Sequence, residues 1–303
     1  MSSSPPATDP AVDRRVAGLA VLGSAALFGT AGTARALLLP ASPAPGVAAA
    51  RLFVGGLGFL AYAGRTPEGR RALGVLWRRR VIWVMGLMVA AYQVFFFLSM
   101  ARTGVAIGTL ASLSFTPFMA GLLGWLLKEG APGYVWAVST VMAILGVAML
   151  TVGAGDRRDL LGILFGACAG AAYGVYTVIG VRLARDGNHP THVLAASFSI
   201  AGFLLLPVLL ASGTWWLSWS GAALILWLGL ATTTLAYVLF GVGLGALQPG
   251  HIATITLAEP MFATLLGVFV LGETLSALGW AGCVVIIVAL GILGASEGRK
   301  ASA

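Results

Sequence analysis

The stretch VIWVMGLMVAAYQVFFFLSM, residues 81–100, contains twenty residues and no charged side chain. A helix of about 20 apolar residues spans the hydrocarbon core of a bilayer, whereas a surface helix of a soluble protein needs a polar face. Similar apolar runs follow one another along nearly the whole chain, separated by short connectors. We therefore predict an all-α integral membrane protein.

The composition supports a membrane protein and excludes several other classes. Of the 303 residues, 59% are hydrophobic and only 9% are charged, and the mean hydropathy is +0.96. The net charge of +8 comes mainly from arginines beside helix ends, which is typical of orientation determinants and not of nucleic-acid binding. The two cysteines provide no disulfide framework and form no paired Cys motif.

Apolar runs and helix breakers predict ten spanning helices. They lie near 16–37, 47–64, 81–100, 104–127, 132–152, 160–181, 191–211, 220–243, 250–271 and 277–295. Pro- and Gly-rich connectors separate several of them, and the Arg-rich stretch 65–80 is interpreted as another connector. Residues 1–15 are predicted to be a disordered N-terminus and 296–303 a short tail.

Positive charge is distributed unequally between alternate connectors. One side collects Arg14, Arg15, Arg65, Arg70, Arg71, Arg78, Arg79, Arg80, Lys128, Arg182, Arg185, Arg299 and Lys300, whereas the other has Arg35, Arg102, Arg157 and Arg158. Because Lys and Arg are retained on the cytoplasmic side, we predict a plasma-membrane protein with both termini in the cytoplasm. Trp215, Trp216 and Trp219 would then lie at the outer interface.

The two halves of the chain resemble each other at an offset near 144. Thr116-Pro117-Phe118 aligns with Glu259-Pro260-Met261, Leu127-Lys128-Glu129 with Leu271-Gly272-Glu273, and Leu27-Phe28-Gly29-Thr30 with Ala172-Tyr173-Gly174-Val175. Trp136 and Trp280 each follow their Glu by seven residues. Residues 16–152 and 160–295 are thus predicted to be two five-helix repeats. An odd number of spans inverts one repeat relative to the other, the architecture of carriers with a site near mid-membrane.

The segment Ala258-Glu259-Pro260-Met261-Phe262-Ala263, followed by Leu271-Gly272-Glu273-Thr274, resembles the signature of the drug/metabolite transporter superfamily with its EamA-type repeats. Its first-half counterpart is Phe115-Thr116-Pro117-Phe118-Met119-Ala120 with Lys128-Glu129. Pro45-Gly46-Val47, Ala50-Arg51-Leu52 and Phe97-Leu98-Ser99-Met100 are similar to the threonine/homoserine exporters of that superfamily. The resemblance implies ten helices, cytoplasmic termini, a central cavity and usually export of amino acids or related metabolites.

Two charges lie well inside the predicted spans, away from their outer ends. Arg51 is a candidate counter-ion for a substrate carboxylate, or else a structural partner of Glu259 or of freed backbone carbonyls. Glu259 precedes the helix-kinking Pro260, and Pro117 occupies the matching place in the first half. Glu259 is a candidate coupling or gating carboxylate, or else a buried cap that stabilises the kink.

Polar and aromatic residues on the predicted helices are candidates for the wall of a substrate cavity. They are Tyr92, Gln93, Phe96, Tyr173, Tyr176, Thr233, Thr234 and Tyr237. Gly162, Gly166, Gly170 and Gly174 recur every four residues and predict a face for close helix packing, either static or sliding. No metal or cofactor is predicted.

The function predicted from these features is secondary-active export of amino acids or related small metabolites by alternating access. Toxic-compound efflux and metabolite uptake are alternatives within the carrier class. An intramembrane enzyme is the alternative from another class, but only one mid-membrane carboxylate is available for catalysis. The partners expected are a small-molecule substrate and the lipid bilayer. Monomer and homodimer both stay open.

Overall fold

The computed structural model describes residues 14–126, 134–153, 159–246 and 258–301, and within these ranges all regular secondary structure is helical. The helices are α1 (Arg14–Leu38), α2 (Ala44–Ala63), α3 (Pro67–Trp77), α4 (Arg80–Thr103), α5 (Val105–Leu126), α6 (Tyr134–Gly153), α7 (Leu160–Arg185), α8 (Pro190–Ala211), α9 (Trp219–Leu226), α10 (Ala236–Ala246), α11 (Ala258–Phe269) and α12 (Ala277–Ala301). A 3-10 turn spans Trp215–Leu217, and a π-helical segment, Trp227–Leu235, joins α9 to α10.

The described helix boundaries lie close to those predicted from the apolar runs. The largest differences are at α7, which continues to Arg185, and at α12, which continues through part of the predicted tail to Ala301. Lys128, Glu129, Arg157, Arg158 and most of the predicted N-terminus lie outside the described residues, as does the predicted start of the ninth span near 250.

Six described segments are long and apolar enough to cross a bilayer. They are Val16–Leu38, Ala44–Ala63, Arg80–Thr103, Leu160–Gly180, Pro190–Ala211 and Trp219–Val242. Large apolar side chains on these helices are exposed, for example Leu87 and Phe203 at more than half of their surface. A surface of this kind is stable against lipid and not against water. The chain is therefore an all-helical, multi-pass membrane protein.

The interpretation of 65–80 as a plain connector is wrong, because this stretch contains the short helix α3. Thr66 caps the helix by accepting a hydrogen bond from the Gly69 N–H at 3.1 Å, and Pro67 occupies its first turn. Leu73 and Leu76 are buried, whereas Arg70 and Arg71 are exposed. A helix with one buried apolar edge and exposed arginines suits the membrane surface, and it is too short to span.

The spanning helices pack in pairs drawn from the two halves of the chain. α2 lies along α8, and α6 lies along α12. α7 packs against α4 and α5, while α1 packs against α11 and against the π-helical segment with α10. α7 thus lies between α4 and α5, and α1 lies between α10 and α11, so helices of the two halves alternate.

The turn between α4 and α5 is held by a carboxylate from the distant α11–α12 connector. Gly104 forms this turn with a φ of 86°, a conformation that favours glycine. The Glu273 carboxylate accepts a hydrogen bond from the Val105 N–H at 2.8 Å, at the start of α5. A side chain at Gly104 would lie 2.9 Å from the same Glu273 oxygen. We call this end of the bundle the Gly104 end.

A second contact at the Gly104 end joins α4 to the start of α7. Asp159 accepts from the Gly162 N–H at 2.9 Å, as a helix cap, and from the Arg102 guanidinium at 2.7 Å. The Gly162 N–H, followed by Arg102, holds the pKa of the Asp159 carboxyl below its usual range. The charged carboxylate is thereby favoured in the folded state.

Two substitutions of Asp159 distinguish the contribution of the helix cap to stability from that of the ion pair. Asp159→Asn keeps an acceptor for Gly162 and should lower the Tm of the purified protein by only about 1–2 °C, whereas Asp159→Ala removes both contacts and should lower it by about 4 °C. Folding lowers the pKa of Asp159. The stability that depends on its charge is therefore present above the ordinary pKa of about 4 and is lost as the pH falls through the lower folded pKa. Thermal melts at pH 7 and pH 3 test this, and equal Tm values for the two variants at pH 7 would contradict it.

Candidate functional site

A small cavity of about 20 Å³ lies at the centre of the bundle. It is lined by Phe28, Arg51, Tyr92, Gln93, Phe96, Tyr173, Tyr237 and Glu259. These residues come from α1, α2, α4, α7, α10 and α11, so both halves of the chain contribute to the wall. The wall combines aromatic rings with a cation, an amide and a carboxylic acid group.

The structure brings together seven of the candidate residues predicted from the sequence, namely Arg51, Tyr92, Gln93, Phe96, Tyr173, Tyr237 and Glu259. Sequence reasoning missed Phe28. The internal repeat carried the signal, because Phe28 aligns with the predicted wall residue Tyr173. The Phe28 ring lies 4.8 Å from that of Tyr237, between centroids, in an edge-to-face arrangement.

Arg51 is 4% exposed, and its guanidinium is fixed by three neighbours. Its Nε donates to the Thr233 hydroxyl at 2.9 Å, and one terminal nitrogen donates to the Thr232 carbonyl at 3.0 Å. The other terminal nitrogen donates to the Gln93 side-chain oxygen at 3.3 Å. Arg51 thus binds a backbone carbonyl, one of the partners that the sequence left open.

The π-helical segment explains why that carbonyl is available. The N–H of Ala236 bonds to the carbonyls of Ala231 and Thr233 and not to that of Thr232. In a regular α-helix the Thr232 carbonyl would accept from Ala236. The wider turn leaves Thr232 as an acceptor for Arg51, and π-helical turns frequently occur at functional sites.

Gln93 has an unused donor beside this cation. The residue is fully buried, its side-chain oxygen accepts from Arg51, and its side-chain nitrogen has no hydrogen-bond partner. A buried amide donor without a partner is costly, and such groups in native proteins often face a ligand or water. Gln93 and Arg51 both line the cavity, and N–H donors of this kind suit an anion.

Glu259 lines the same cavity from the start of α11. Arg51 and Glu259 interact electrostatically, but no carboxylate in the described part of the chain lies within 4 Å of the Arg51 guanidinium. The pairing of Arg51 with Glu259 that the sequence allowed is therefore not a direct ion pair. Pro260 follows within α11, and Pro117 lies within α5.

The remaining candidate residues lie beside the central cavity and not in its wall. Thr233 is buried behind Arg51 and orients it. The Thr234 hydroxyl donates to the carbonyls of Gly55 and Gly229, so it contributes to the contact with α2. Tyr176 lies beyond Tyr237, with 3.4 Å between the two hydroxyl oxygens.

A larger cavity of about 300 Å³ adjoins the central one. Tyr173 and Tyr237 belong to the walls of both cavities. The larger cavity continues past Tyr176 towards Gly180 and Pro190, which lie next to the α7–α8 turn, at the end of the bundle opposite to the Gly104 end. The central polar site is thus connected to one end of the bundle through a space between α4, α7, α8 and α10.

An all-helical membrane bundle with a buried cavity lined by both halves defines the chain as a membrane transporter, and comparisons with known proteins agree. The chain is 32% identical over 288 residues to the transporter YwfM of Bacillus subtilis, covering 94% of this chain and 96% of that one. It is 29% identical over 260 residues to the threonine/homoserine exporter RhtA of Salmonella typhimurium, covering 84% and 83%. Both of these relatives are named as transporters.

The family follows from the same comparisons. Residues 160–295 match the model of the EamA-like transporter family. A protein of known crystal structure has a similar fold, with a TM-score of 0.65 and 21% identity over 95% of this chain and 99% of that protein. The chain belongs to the EamA-like transporter family, within the drug/metabolite transporter superfamily.

Proposed function

We propose that this protein is a secondary-active exporter of amino acids or related small metabolites in the plasma membrane, with both termini in the cytoplasm. It binds the substrate in the central cavity and exposes it alternately to the two sides of the membrane. The observation that carries the proposal is the group formed by the buried Arg51 and Gln93 and the half-buried Glu259, which lines one cavity without a direct ion pair.

The chemistry of this group suits a zwitterion. A substrate carboxylate can accept from Arg51 and from the unpaired nitrogen of Gln93. A substrate ammonium group can donate to Glu259 on the same wall. Binding an α-amino acid would give the buried Gln93 nitrogen an acceptor, and a neutral apolar compound cannot do this.

The packing of the helices supports ten spans arranged as two inverted repeats. Gly56 of α2 approaches the backbone of Phe198 and Ser199 on α8, and Gly202 of α8 approaches that of Leu52 and Phe53 on α2. Each pair of corresponding residues, such as 56 and 202 or 53 and 199, differs by 146, close to the repeat offset found in the sequence. When a pseudo-two-fold axis relates two halves, each contact between them is expected to recur with the partners exchanged and with the same difference in residue number.

The two ends of the bundle differ in a way that suits alternating access. The Gly104 end is held by Glu273 at the start of α5 and by the Arg102 ion pair with Asp159. The opposite end carries the larger cavity and, by the distribution of arginines, faces the cytoplasm. We infer that this conformation receives substrate from the cytoplasm, and that opening requires the contacts at the Gly104 end to separate.

Export can be tested in cells that overproduce the protein. After loading with dipeptides, intracellular and extracellular amino acids are followed in these cells and in cells with an empty vector. We expect one or more amino acids to appear outside several-fold faster in the overproducing strain. Cells producing a Gly74→Leu variant, changed on the exposed side of α3, should behave like the wild type. An unchanged amino-acid profile would contradict amino-acid export and favour another solute, such as a toxic compound, while faster entry would favour uptake.

A further inference from the structure

The larger cavity has an almost wholly apolar wall. Met85, Val193, Leu194 and Phe240 contribute side chains to it, together with Gly180 and the faces of the three tyrosines 173, 176 and 237. Among the described residues of the wall, the one further polar side chain is Thr177, which donates its hydroxyl to the Tyr173 carbonyl at 2.8 Å. The wall therefore offers a substrate little beyond apolar contact.

The volumes of the two cavities indicate which part of a ligand could lie in each of them. The central cavity, at about 20 Å³, is too small for a whole amino acid, so only the charged end of a substrate can lie there. The adjoining cavity, at about 300 Å³, lies within the size range of small-molecule sites. Because its wall is apolar, this space favours an apolar group of a ligand over water.

We propose that the substrates are amino acids, or similar zwitterions, with a large apolar side chain that lies in this cavity. The inference rests on the proposed function, because it takes the charged end of the substrate to bind at Arg51, Gln93 and Glu259. The side chain then passes between Tyr173 and Tyr237 into the space beside Gly180. The short hydroxyl side chains of threonine and homoserine would bury little apolar surface against this wall, which disfavours them as substrates.

Gly180 provides a way to fill the cavity without disturbing the binding group. An added Cβ at Gly180 meets one atom within 4 Å, the terminal methyl of Met85 at 3.2 Å. That methyl is the end of a flexible side chain and can move aside. A leucine at this position would occupy the space proposed for the substrate side chain.

The experiment uses purified full-length protein in liposomes loaded with one labelled amino acid at a time: leucine, phenylalanine, alanine, threonine or homoserine. We expect wild-type protein to move leucine and phenylalanine at least tenfold faster than threonine and homoserine. Gly180→Leu should slow leucine and phenylalanine at least tenfold and leave alanine within about twofold. Gly74→Leu, the same change where an added Cβ has no neighbour within 4 Å, should leave all rates unchanged.

A second variant keeps the test decisive if Gly180→Leu fails to reach the membrane. Phe240→Ala enlarges the cavity and should shift the preference from leucine towards bulkier side chains such as that of tryptophan. Preference for threonine or homoserine, or equal slowing of every amino acid including alanine by Gly180→Leu, would overturn the inference and leave the proposed function standing. Failure of wild-type protein to move any amino acid would instead overturn the proposed function.

Discussion

Arg51→Ala is expected to reduce amino-acid transport per molecule by roughly 30-fold to more than a thousandfold. The change removes the cation that faces the cavity, and truncating one partner of a buried, hydrogen-bonded charge pair costs about 2–5 kcal/mol. It also leaves the Thr232 carbonyl and the Gln93 oxygen without their donor. Transport in liposomes, normalised to the amount of folded protein, is the measurement.

Arg51→Lys is the matched control for this prediction. Lysine keeps the charge but replaces the planar fork with a single ammonium group, which cannot reach Thr233, Thr232 and Gln93 in the same geometry. We expect partial transport from Arg51→Lys, and an amino-acid-dependent rise in Tm for the wild type that is absent in Arg51→Ala. A substrate analogue without its carboxylate should be moved poorly by the wild type.

The same comparison separates a binding role for Arg51 from a structural one. If Arg51 only holds the π-helical segment against α2 and α4, Arg51→Ala lowers the Tm and the amount of protein in the membrane, while the folded fraction transports normally. That result would contradict the proposed site. Glu259→Gln tests the coupling hypothesis in parallel, because an amide can bind a substrate but cannot titrate near neutral pH.

The sequence predicted the spanning helices because a bilayer imposes a simple requirement on length and polarity. It missed α3 because this helix is short and amphipathic, and its Thr66-Pro67 start was outweighed by the surrounding arginines. The π-helical segment at Trp227–Leu235 was also missed. Its composition does not differ from that of an ordinary apolar helix, and its stabilising partner, Arg51, comes from 181 residues away.

The residues around the central cavity were predicted largely from their chemistry, since polar groups in apolar helices rarely face lipid. The alignment of the repeats would have added Phe28, and it also pairs Tyr92 with Tyr237 at an offset of 145. The apolar cavity could not be predicted in this way. It arises from a gap between α4, α7, α8 and α10, and no single residue in its wall differs from those that pack a membrane bundle.

Gly170→Leu is expected to produce the largest loss of stability on α7. A Cβ at Gly170 would contact the backbone oxygen of Ser112 and would lie 2.6 Å from the Phe115 Cβ and 3.0 Å from the Thr116 N, all on α5. Backbone atoms cannot move aside as the Met85 methyl can, so overpacking here costs at least about 3 kcal/mol. We expect a Tm at least about 6 °C below that of the wild type, or loss of the protein from the membrane.

Gly180→Leu on the same helix is the matched control, because its added side chain enters a cavity and the Tm should change by less than about 2 °C. Equal effects of the two leucines would contradict the packing described for α5 and α7.

Gly170→Ala then decides between the two interpretations of this glycine face. If the face is only a static contact, transport per folded molecule stays normal while the Tm falls. If α7 slides along α5 during transport, a methyl group at this close contact raises the energy barrier to sliding. Transport per folded molecule then falls as well.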